Sequence, residues 1–498
     1  MPFTVHSVRR PWRGTVGEVA ASAQRFASWL RRRGIGPGHV VVMQLPNCVE
    51  AAVTFWGAAM AGAVVVPVVH FYGGRELEHV LRTTQPSLLV TPDRFGRQDY
   101  VGALAGLTAE LGLPWVIVAY DGPADAAIPT GTMRFSDTLE VAETTRASPA
   151  DPAEPAIIAF TSGTTRVPKG VVHSHRSIGF EARQSAGISP RGVPPPLVAA
   201  PVGHFMGMLS ALLGSLIRRV PIHLLDEWNP ERVLGLLLDE DVGITGGAPY
   251  FFISLLDHPD FTEKHLRGMP NAGLGGAPVA GPLARRLEEL GIRVMRCYGS
   301  TEHPTTTGCD FDEPAGRRLT TDGHPLTGVD VRLDENGQIC SRGPDLFIGY
   351  TDERLTAAAF DDDGWYRTGD VGRIDPEGNL TITDRISDVI IRGGENISAQ
   401  EVEELLMAMP QIAEVAVVSE PDDKFGERAV AVIRTQVQHG ALDLDALRQH
   451  LAAAGMAKQK WPESIRLVSD FPRTPSGKIQ KFALRNAIRT EGLSSNDR

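Results

Sequence analysis

The amino-acid sequence predicts an α/β protein in which a large N-terminal domain is followed by a smaller α+β C-terminal domain. Over the first two-thirds of the 498 residues, short β-branched runs alternate with amphipathic helical stretches, which predicts parallel α/β subdomains with helices on the sheet faces. After about Asp322, Asn336-Gly337 and Glu377-Gly378 mark tight turns between short strands, as in a small β-rich subdomain. From about Ser387, strands and helices follow in a compact α+β pattern.

Each predicted strand is a short run rich in β-branched residues, and helices are recognised by their caps and periodicity. In the N-terminal part we predict strands Ile157–Phe160, Val171–His173, Leu197–Ala200, Pro221–Leu225, Val242–Thr245 and Ile292–Cys297, with helices from about His175, over Met208–Ile217, from Asn229-Pro230, from Pro249 and over Leu283–Leu290. In the C-terminal part we predict a helix opened by the capping box Ser398-x-x-Glu401, strands Val415–Val418 and Ala429–Ile433, and helix Leu444–Ala453.

The composition argues against some classes of protein. The formal net charge is −11, which argues against nucleic acid as the main partner because a phosphate backbone requires a basic surface. The four cysteines form no C-x-x-C pair and no zinc-binding spacing, so we expect free thiols and a cytoplasmic protein. The first residues include arginines without a following apolar run, so we expect no signal peptide.

One uncharged stretch, Ala51–Val69, has the length of a membrane span. Gly62 and Pro67 interrupt it, and its second half is rich in β-branched residues. A buried helix, a turn and a buried strand explain this pattern better than a membrane span.

The segment Phe160–Gly170 (FTSGTTRVPKG) combines glycines, hydroxyl side chains and a lysine in one predicted loop. Glycine lets backbone N–H groups approach a ligand, hydroxyls donate to phosphate oxygens, and Lys169 supplies positive charge. The spacing does not fit a Walker A loop. A Ser/Thr-rich turn between strand and helix is equally common as plain structure, so this segment alone leaves both interpretations open.

Three further segments place polar groups at strand ends or turns. In Tyr298–Glu302 (YGSTE) the ring can stack on a purine and Glu302 can hold Mg²⁺, although a capped helix start explains the same residues. The aspartate of Tyr366–Asp370 (YRTGD) can accept hydrogen bonds from the hydroxyls of a ribose, although an ordinary β-turn also explains an aspartate there. Thr474–Lys478 (TPSGK) carries a lysine on a loop, where such a charge is usually only solvated.

Together the four segments supply groups for triphosphate, adenine, ribose and Mg²⁺ in one chain. The set resembles the motifs of the adenylate-forming superfamily, which includes acyl-CoA synthetases, adenylation domains of nonribosomal peptide synthetases and beetle luciferases. The resemblance extends from about Gly17 to Ala487 and includes DRISDVIIRGGENIS at Asp384–Ser398 and PRTPSGK at Pro472–Lys478. The sequence in and around SDVIIRGGENIS and CYGSTEHP is most similar to that of bacterial ligases of the cyclohexanecarboxylate and medium-chain acid type.

The resemblance implies an ATP-dependent acid–CoA ligase that uses ATP, Mg²⁺ and coenzyme A. A carboxylate would attack the α-phosphate of ATP to give an acyl-adenylate and pyrophosphate, and the CoA thiol would then displace AMP. It also implies an N-terminal domain over residues 1–384, a hinge at 385–387, and a mobile C-terminal domain over 388–498 that rotates between the two steps.

The resemblance further assigns roles to individual residues. Lys478 would bridge the carboxylate and the α-phosphate, Thr301 would contact the α-phosphate, Glu302 would bind Mg²⁺, and His204 would line the acyl pocket unless it is a plain core histidine. The nucleotide-binding positions would be Thr161, Ser162, Gly163, Thr164, Thr165 and Lys169 on the phosphates, Gly276, Ala277 and Tyr298 beside the adenine, Asp370 and Arg385 on the ribose, and in addition Gly299, Gly393 and Gly394.

The sequence departs from the family pattern at two motif positions. The phosphate loop has Arg166 where glycine is usual, and the hinge has Ser387 where lysine or aspartate is usual. The N-terminus is also shorter than is typical of the family.

The acyl pocket is expected between His204–Met208, Thr245–Ala248 and Gly273–Ala277. Glycines and methionines there suit a medium-chain, branched, alicyclic or aromatic acid, and no charged residue nearby suits an amino group. Two alternatives remain: an enzyme that loads an acyl-carrier protein, and a catalytically weak regulator that binds ATP or acyl-adenylate, which Lys478 and Glu302 argue against. We also consider a homodimer.

Overall fold

An eight-stranded sheet forms the centre of the N-terminal part in a computed structural model, which describes residues 1–123, 125–143, 148–161, 168–190, 192–436, 442–474 and 477–491. Six neighbouring strands of this sheet are parallel, and two further strands extend one edge through antiparallel pairings. In spatial order the strands are Gly349–Tyr350, Lys169–Ser174, Pro155–Thr161, Val64–Val68, Val40–Gln44, Leu88–Pro92, Trp115–Val118 and Thr132–Arg134.

Helices cover both faces of this sheet because alternate strand residues point to opposite sides. Val41 and Met43 pack on the side of helices Val16–Arg32 and Val49–Ala61, whereas Val42 packs on the side of helices Gly74–Thr84 and Tyr100–Leu111. The structure thus confirms the prediction of parallel strands with helices on both faces.

The uncharged stretch Ala51–Val69 folds as predicted. Helix Val49–Ala61 ends at Gly62, whose left-handed backbone (φ 85°) turns the chain into the buried strand Val64–Val68. In the part of the chain that the structure describes, no helix is both long and apolar enough to cross a membrane.

Two smaller sheets complete the α/β part. A four-stranded sheet contains Leu197–Val198, Ile222–Leu225, Pro2–His6 and Trp12–Thr15, and a five-stranded sheet contains Gly246–Gly247, Asn271–Leu274, Arg293–Tyr298, Thr307–Gly308 and His324–Pro325. The helices between and around them are His175–Ile188, Phe205–Met208, Ser215–Arg218, Pro230–Asp239, Pro249–Leu256, Gly281–Glu289 and Ala315–Thr320.

Two predicted elements of this region differ in the structure. The predicted strand Val242–Thr245 is wrong: the ladder forms over Gly246–Gly247, which pair with Gly273 and Leu274 of the next strand. The predicted helix Met208–Ile217 is helical, but its centre, Leu209–Gly214, is a π-helix in which the Ser215 N–H donates to the Ser210 carbonyl. The hydrophobic pattern predicts a helix here but does not reveal the wider turn.

The remaining chain forms a β-rich unit and an α+β unit. The first is an antiparallel sheet of Asp330–Leu333, Gln338–Arg342, Tyr366–Ile374 and Leu380–Arg385, with helix Glu353–Ala359 nearby. The second is a sheet of Glu395–Ile397, Ile390–Arg392, Gly426–Thr435, Ile412–Asp422 and Ser464–Leu467, with helices Ala399–Leu406 and Leu444–Ala453 packed on one face and Lys481–Glu491 on the other.

The predicted capping box at Ser398 forms only in part. The Ser398 hydroxyl accepts from the Glu401 N–H, as expected. The Glu401 carboxylate instead accepts from the Lys460 ammonium at 2.6 Å. A salt-bridge partner distant in sequence has therefore replaced the local return bond of the box.

The buried side chain of Asn47 connects the first sheet to the segment that leads to His204. Its amide nitrogen donates to the carbonyls of Val198, Ala200 and Leu225 at 2.9–3.3 Å. Its carbonyl oxygen accepts from the Val202 N–H at 2.7 Å. The side chain is 1% exposed, so removing it leaves these backbone groups without a partner and out of reach of water.

We therefore expect Asn47→Ala to lower the free energy of unfolding by about 2–4 kcal/mol. Denaturation in guanidinium chloride measures this change. Asn336→Ala, at an exposed turn, is the matched control and should change the stability by less than about 0.5 kcal/mol. Equal effects of the two substitutions would contradict the role of Asn47.

Candidate functional site

Strand Arg293–Tyr298 ends at a turn that only glycine can form. A Cβ atom on Gly299 would lie 1.7 Å from the Pro304 carbonyl oxygen, which no side chain tolerates. The close approach is held by two backbone bonds, from Ser300 N–H to His303 O and from Thr306 N–H to Tyr298 O, both 2.9 Å. This turn sets the positions of Thr301 and Glu302 relative to Tyr298.

Tyr298, Asp370 and Arg385 form one connected group. The Tyr298 hydroxyl donates to Asp370 Oδ2 at 2.8 Å, and Arg385 Nε lies 3.2 Å from Asp370 Oδ1. Asp370 and Arg385 are also direct partners across two antiparallel strands. Burial raises the pKa of the Tyr298 hydroxyl, so it remains a hydrogen-bond donor to Asp370. The structure thus brings together three residues that the sequence analysis placed around one nucleoside.

Glu302 and Lys169 lie on either side of Tyr350. The Tyr350 hydroxyl donates to Glu302 Oε1 at 2.8 Å, and Lys169 Nζ lies 5.4 Å from the centre of the Tyr350 ring. Lys169 faces Thr161 across the hairpin that encloses the phosphate loop. Sequence reasoning missed Tyr350, because nothing in a two-residue strand marks it as a contact of Glu302.

The fit of the site to Mg²⁺ depends on Glu302. No group of three His, Cys, Asp or Glu side chains suited to a metal occurs among the residues described. A single carboxylate nevertheless suits Mg²⁺, which keeps several waters and takes further oxygens from substrate phosphates. Glu302 beside the cationic Lys169 is consistent with such a shared site.

A buried polar network lies beneath the Thr301–Glu302 turn. His173 Nε2 donates to the Thr301 carbonyl at 2.7 Å, and burial lowers the pKa of His173 to about 4, so the ring is neutral. Glu181, on the helix His175–Ile188 that follows, accepts from the Thr305 hydroxyl at 2.7 Å.

Gln184 continues this network. Its amide nitrogen donates to the Thr305 carbonyl at 3.0 Å and to Asp345 at 3.3 Å. Asp345 contacts the His303 ring at 3.2 Å. Burial raises the pKa of Glu181 to about 8, which keeps this carboxyl protonated and limits the buried negative charge. These contacts hold the Thr301–Glu302 turn in place.

Lys478 lies in the same cluster as Asp370 and Arg385. Burial, and next the Arg385 charge, lowers the pKa of its ammonium to about 8, while Asp370 and Asp388 act in the opposite direction. Asp388 is itself paired with Arg485 at 3.1 Å. The charges of an aspartate and an arginine of the β-rich sheet therefore act on a lysine from the C-terminal part.

His204 begins the helical segment at Phe205. Its Nδ1 accepts from the Met206 N–H at 3.3 Å, and burial lowers the pKa of the ring to about 4. The ring is therefore neutral at physiological pH and acts as a helix cap.

Several glycines lie close together at the five-stranded sheet and form a surface without side chains. Gly246 and Gly273 are adjacent on neighbouring strands. A Cβ atom on Gly246 would lie 2.9 Å from the Gly273 carbonyl, and one on Gly275 would lie 2.7 Å from Cys297 Sγ. Beside Gly273 are the Met295 methyl and the Phe311 ring. We call Gly246, Gly247, Gly273 and Gly275 the glycine wall.

Several predicted positions lie elsewhere or outside the described residues. Gly276, in the left-handed region, and Ala277 follow strand Asn271–Leu274. Gly393 and Gly394 form a hairpin turn in the C-terminal part, where the Gly393 N–H donates to the Phe425 carbonyl; within the described residues no contact joins them to Asp370. Ser162, Gly163, Thr164, Thr165 and Arg166 lie outside the described residues.

Comparisons with known proteins identify the family of this chain. The family model of the AMP-binding enzymes matches residues 5–351, and that of their C-terminal domain matches residues 401–478. The medium-chain fatty-acid–CoA ligase of Escherichia coli (strain K12) is 33% identical over 95% of this chain and 86% of its own length. A 3-[(3aS,4S,7aS)-7a-methyl-1,5-dioxo-octahydro-1H-inden-4-yl]propanoyl:CoA ligase of Rhodococcus jostii (strain RHA1) is also 33% identical, over 92% of this chain and 91% of its own.

A solved structure shows the same fold. ATP-bound MatB from Rhodopseudomonas palustris superposes with a TM-score of 0.86 at 28% identity, covering 98% of this chain and 96% of that one. The architecture is that of a large N-terminal α/β domain with a C-terminal domain. The chain belongs to the AMP-binding enzyme family of ATP-dependent, adenylate-forming proteins, and within it to the AMP-forming acyl-CoA synthetases.

Proposed function

We propose that this protein joins a carboxylic acid to coenzyme A at the expense of ATP. An oxygen of the carboxylate attacks the α-phosphate of ATP and displaces pyrophosphate, and the CoA thiol then attacks the acyl carbon and displaces AMP as its proton is released. The observation that carries this proposal is the Asp370–Arg385 pair, 3.2 Å apart, whose charges both act on Lys478. Each comes from a different motif, and together they suit an acyl phosphate anhydride on a ribose.

The proposed roles follow from the contacts. Asp370, oriented by Tyr298 and Arg385, accepts from the ribose hydroxyls. Lys478 neutralises the charge between the carboxylate and the α-phosphate, which otherwise repel each other. Lys169 neutralises charge on the β- and γ-phosphates. Mg²⁺ on Glu302 would neutralise phosphate charge when bound.

The acid is proposed to be medium-chain, branched, alicyclic or aromatic. The glycine wall with Met295 and Phe311 offers a flat apolar surface without a charged group. The two relatives named above act, by name, on a medium-chain fatty acid and on a fused-ring propanoic acid. Both names also support CoA rather than a carrier protein as the acceptor.

The remaining proposals concern the setting of the reaction. All four cysteines are free thiols, which supports a reducing, cytoplasmic setting. The hinge at 385–387, the C-terminal domain that it moves, and a homodimer are further proposals. At the hinge the Asp388 N–H donates to the Arg385 carbonyl, so Ser387 lies within a tight turn that a rotation would have to open.

The purified protein, with ATP, Mg²⁺ and CoA, should release pyrophosphate and form a thioester with at least one apolar acid. The panel should contain hexanoate, octanoate, cyclohexanecarboxylate and benzoate, with malonate as a doubly charged control that the apolar wall should reject. Pyrophosphate and thioester are measured in the same reaction. No release with any acid of the panel would exclude the ligase function.

Lys478→Ala should slow adenylation by about two to three orders of magnitude, because it removes a cation from the developing charge. Formation of thioester from a preformed acyl-adenylate and CoA should remain within about twofold, because the carboxylate and the α-phosphate are already joined there and the repulsion that Lys478 offsets is absent. Lys458→Ala, an exposed lysine of the same domain, is the control for loss of charge alone. An equal loss in both steps would show that the role of Lys478 is wrong.

The pH dependence of adenylation should follow the same lysine. Because the pKa of Lys478 is lowered to about 8, the ammonium is lost as the pH rises through that value. The kcat/KM for ATP, which reports groups of the free enzyme, should therefore fall above about pH 8, whereas thioester formation from acyl-adenylate should not show this fall. An adenylation profile that stays flat to about pH 9.5 would contradict it.

A further inference from the structure

The loop that carries Lys478 rests on an aromatic ring of the N-terminal part. Arg473 Cζ lies 4.7 Å above the centre of the Tyr250 ring. Gly477 lies against the same residue: a Cβ atom on it would be 3.1 Å from Tyr250 Cβ and 3.3 Å from Cδ1. Arg473 and Gly477, which both precede Lys478 in the same loop, therefore contact one residue that is distant in sequence. We call Arg473, Thr474, Gly477 and Lys478 the lysine loop.

Hydrogen bonds within the lysine loop connect Arg473 and Gly477 to the residues around Lys478. The Thr474 N–H donates to the Lys478 carbonyl at 2.6 Å, and the Gly477 N–H donates to the Thr474 carbonyl at 2.8 Å. An Arg473 guanidinium nitrogen donates to the Gly477 carbonyl at 3.2 Å. Gly477 has φ 84°, a conformation that favours glycine. A shift of Arg473 or Gly477 would therefore move Lys478.

Glu414, in the C-terminal part, also holds the Arg473 side chain in place. Its guanidinium lies 2.6 and 2.7 Å from the two carboxylate oxygens of Glu414, which is also paired with Arg434. The Arg473 side chain is 13% exposed. A guanidinium that is already oriented and largely shielded from water makes a stronger contact with a ring than a solvated one does.

Tyr250 is fixed in turn by its own neighbours. It is the second residue of helix Pro249–Leu256. Its ring is 5.8 Å from that of Phe251, which is 4.6 Å from the Trp228 ring, and the Trp228 N–H donates to Ser254. Tyr250 is thus the outer member of an aromatic row held within the helix-and-sheet core.

We infer that Tyr250 is a positioning residue for adenylation, because its ring is the surface on which the lysine loop docks. The inference rests on the proposed function, in which Lys478 serves the adenylation step. Tyr250 contacts neither the Tyr298–Asp370–Arg385 group nor Lys478 directly in the part of the chain described. It acts through Arg473 and Gly477, which set where the ammonium lies.

The test compares the two half-reactions in Tyr250→Leu. Losing the cation–π contact should lower the rate of pyrophosphate release by about tenfold, while thioester formation from preformed acyl-adenylate remains within about twofold. A damaged acyl or nucleotide pocket would slow both steps, because the acyl-adenylate occupies the same pocket. Equal loss in both steps, or no loss in either, would overturn the inference.

Tyr250→Phe is the conservative variant, since it keeps the ring and removes only the hydroxyl. It should restore pyrophosphate release to within about twofold of the unsubstituted enzyme, as cation–π attraction is retained by phenylalanine. If Tyr250→Leu does not fold, Arg473→Gln removes the cation from the other side and is expected to show the same split between the two steps. A Phe variant as slow as the Leu variant would also overturn the docking role.

A measurement without substrate separates this inference from the proposed function. Trypsin should release the peptide that ends at Lys478 faster from Tyr250→Leu than from the unsubstituted protein, because an undocked loop is more accessible. Mass spectrometry follows that peptide against one that ends at Lys264 in the N-terminal part, whose release should not change. If the unsubstituted protein activates no acid, the proposed function fails, and the proteolysis result still decides whether Tyr250 holds the loop.

Discussion

The balance of charges around the Lys478 ammonium is the electrostatic constraint on which the proposed site depends. Burial and the Arg385 charge lower the pKa of Lys478, and Asp370 and Asp388 offset this only in part. A bound anion would oppose this lowering, since a phosphate or carboxylate between two cations favours their charged forms. The protein therefore holds an electrostatic arrangement that is more favourable with its anionic substrates than without them.

The same site shows why three separate units must pack in one arrangement. Tyr298 comes from a mixed sheet, Asp370 from an antiparallel one, and Lys478 from the C-terminal part. Hydrogen bonds and charges of this kind act only over a few ångströms. Gly477 allows the backbone to lie close to Tyr250 where the C-terminal part contacts the N-terminal part, so the packing of whole domains determines the distances between the proposed site residues.

Much of the fold was predictable because its signals are local. Helix Leu444–Ala453 and the helix–turn–strand unit at Ala51–Val69 follow from periodicity, β-branched runs and a single glycine. The errors arose where a distant partner decides the outcome. Residues 242–245 have the sequence pattern of a strand, but the pairing with strand Asn271–Leu274 begins only at Gly246. The motif residues could be named in advance, whereas Tyr350, Tyr250 and the network around Glu181 depend on contacts that no local pattern encodes.

As the proposed surface of the acyl pocket, the glycine wall would limit how the specificity of this enzyme can evolve. Glycine has no side chain left to remove, so this surface cannot be trimmed to admit a bulkier acid. Additions are restricted as well, because new Cβ atoms at Gly246 and Gly275 would meet a carbonyl oxygen and a sulfur atom at less than 3 Å. Mutational drift toward larger or smaller substrates would therefore be directed to neighbouring side chains such as Met295, whose thioether is flexible.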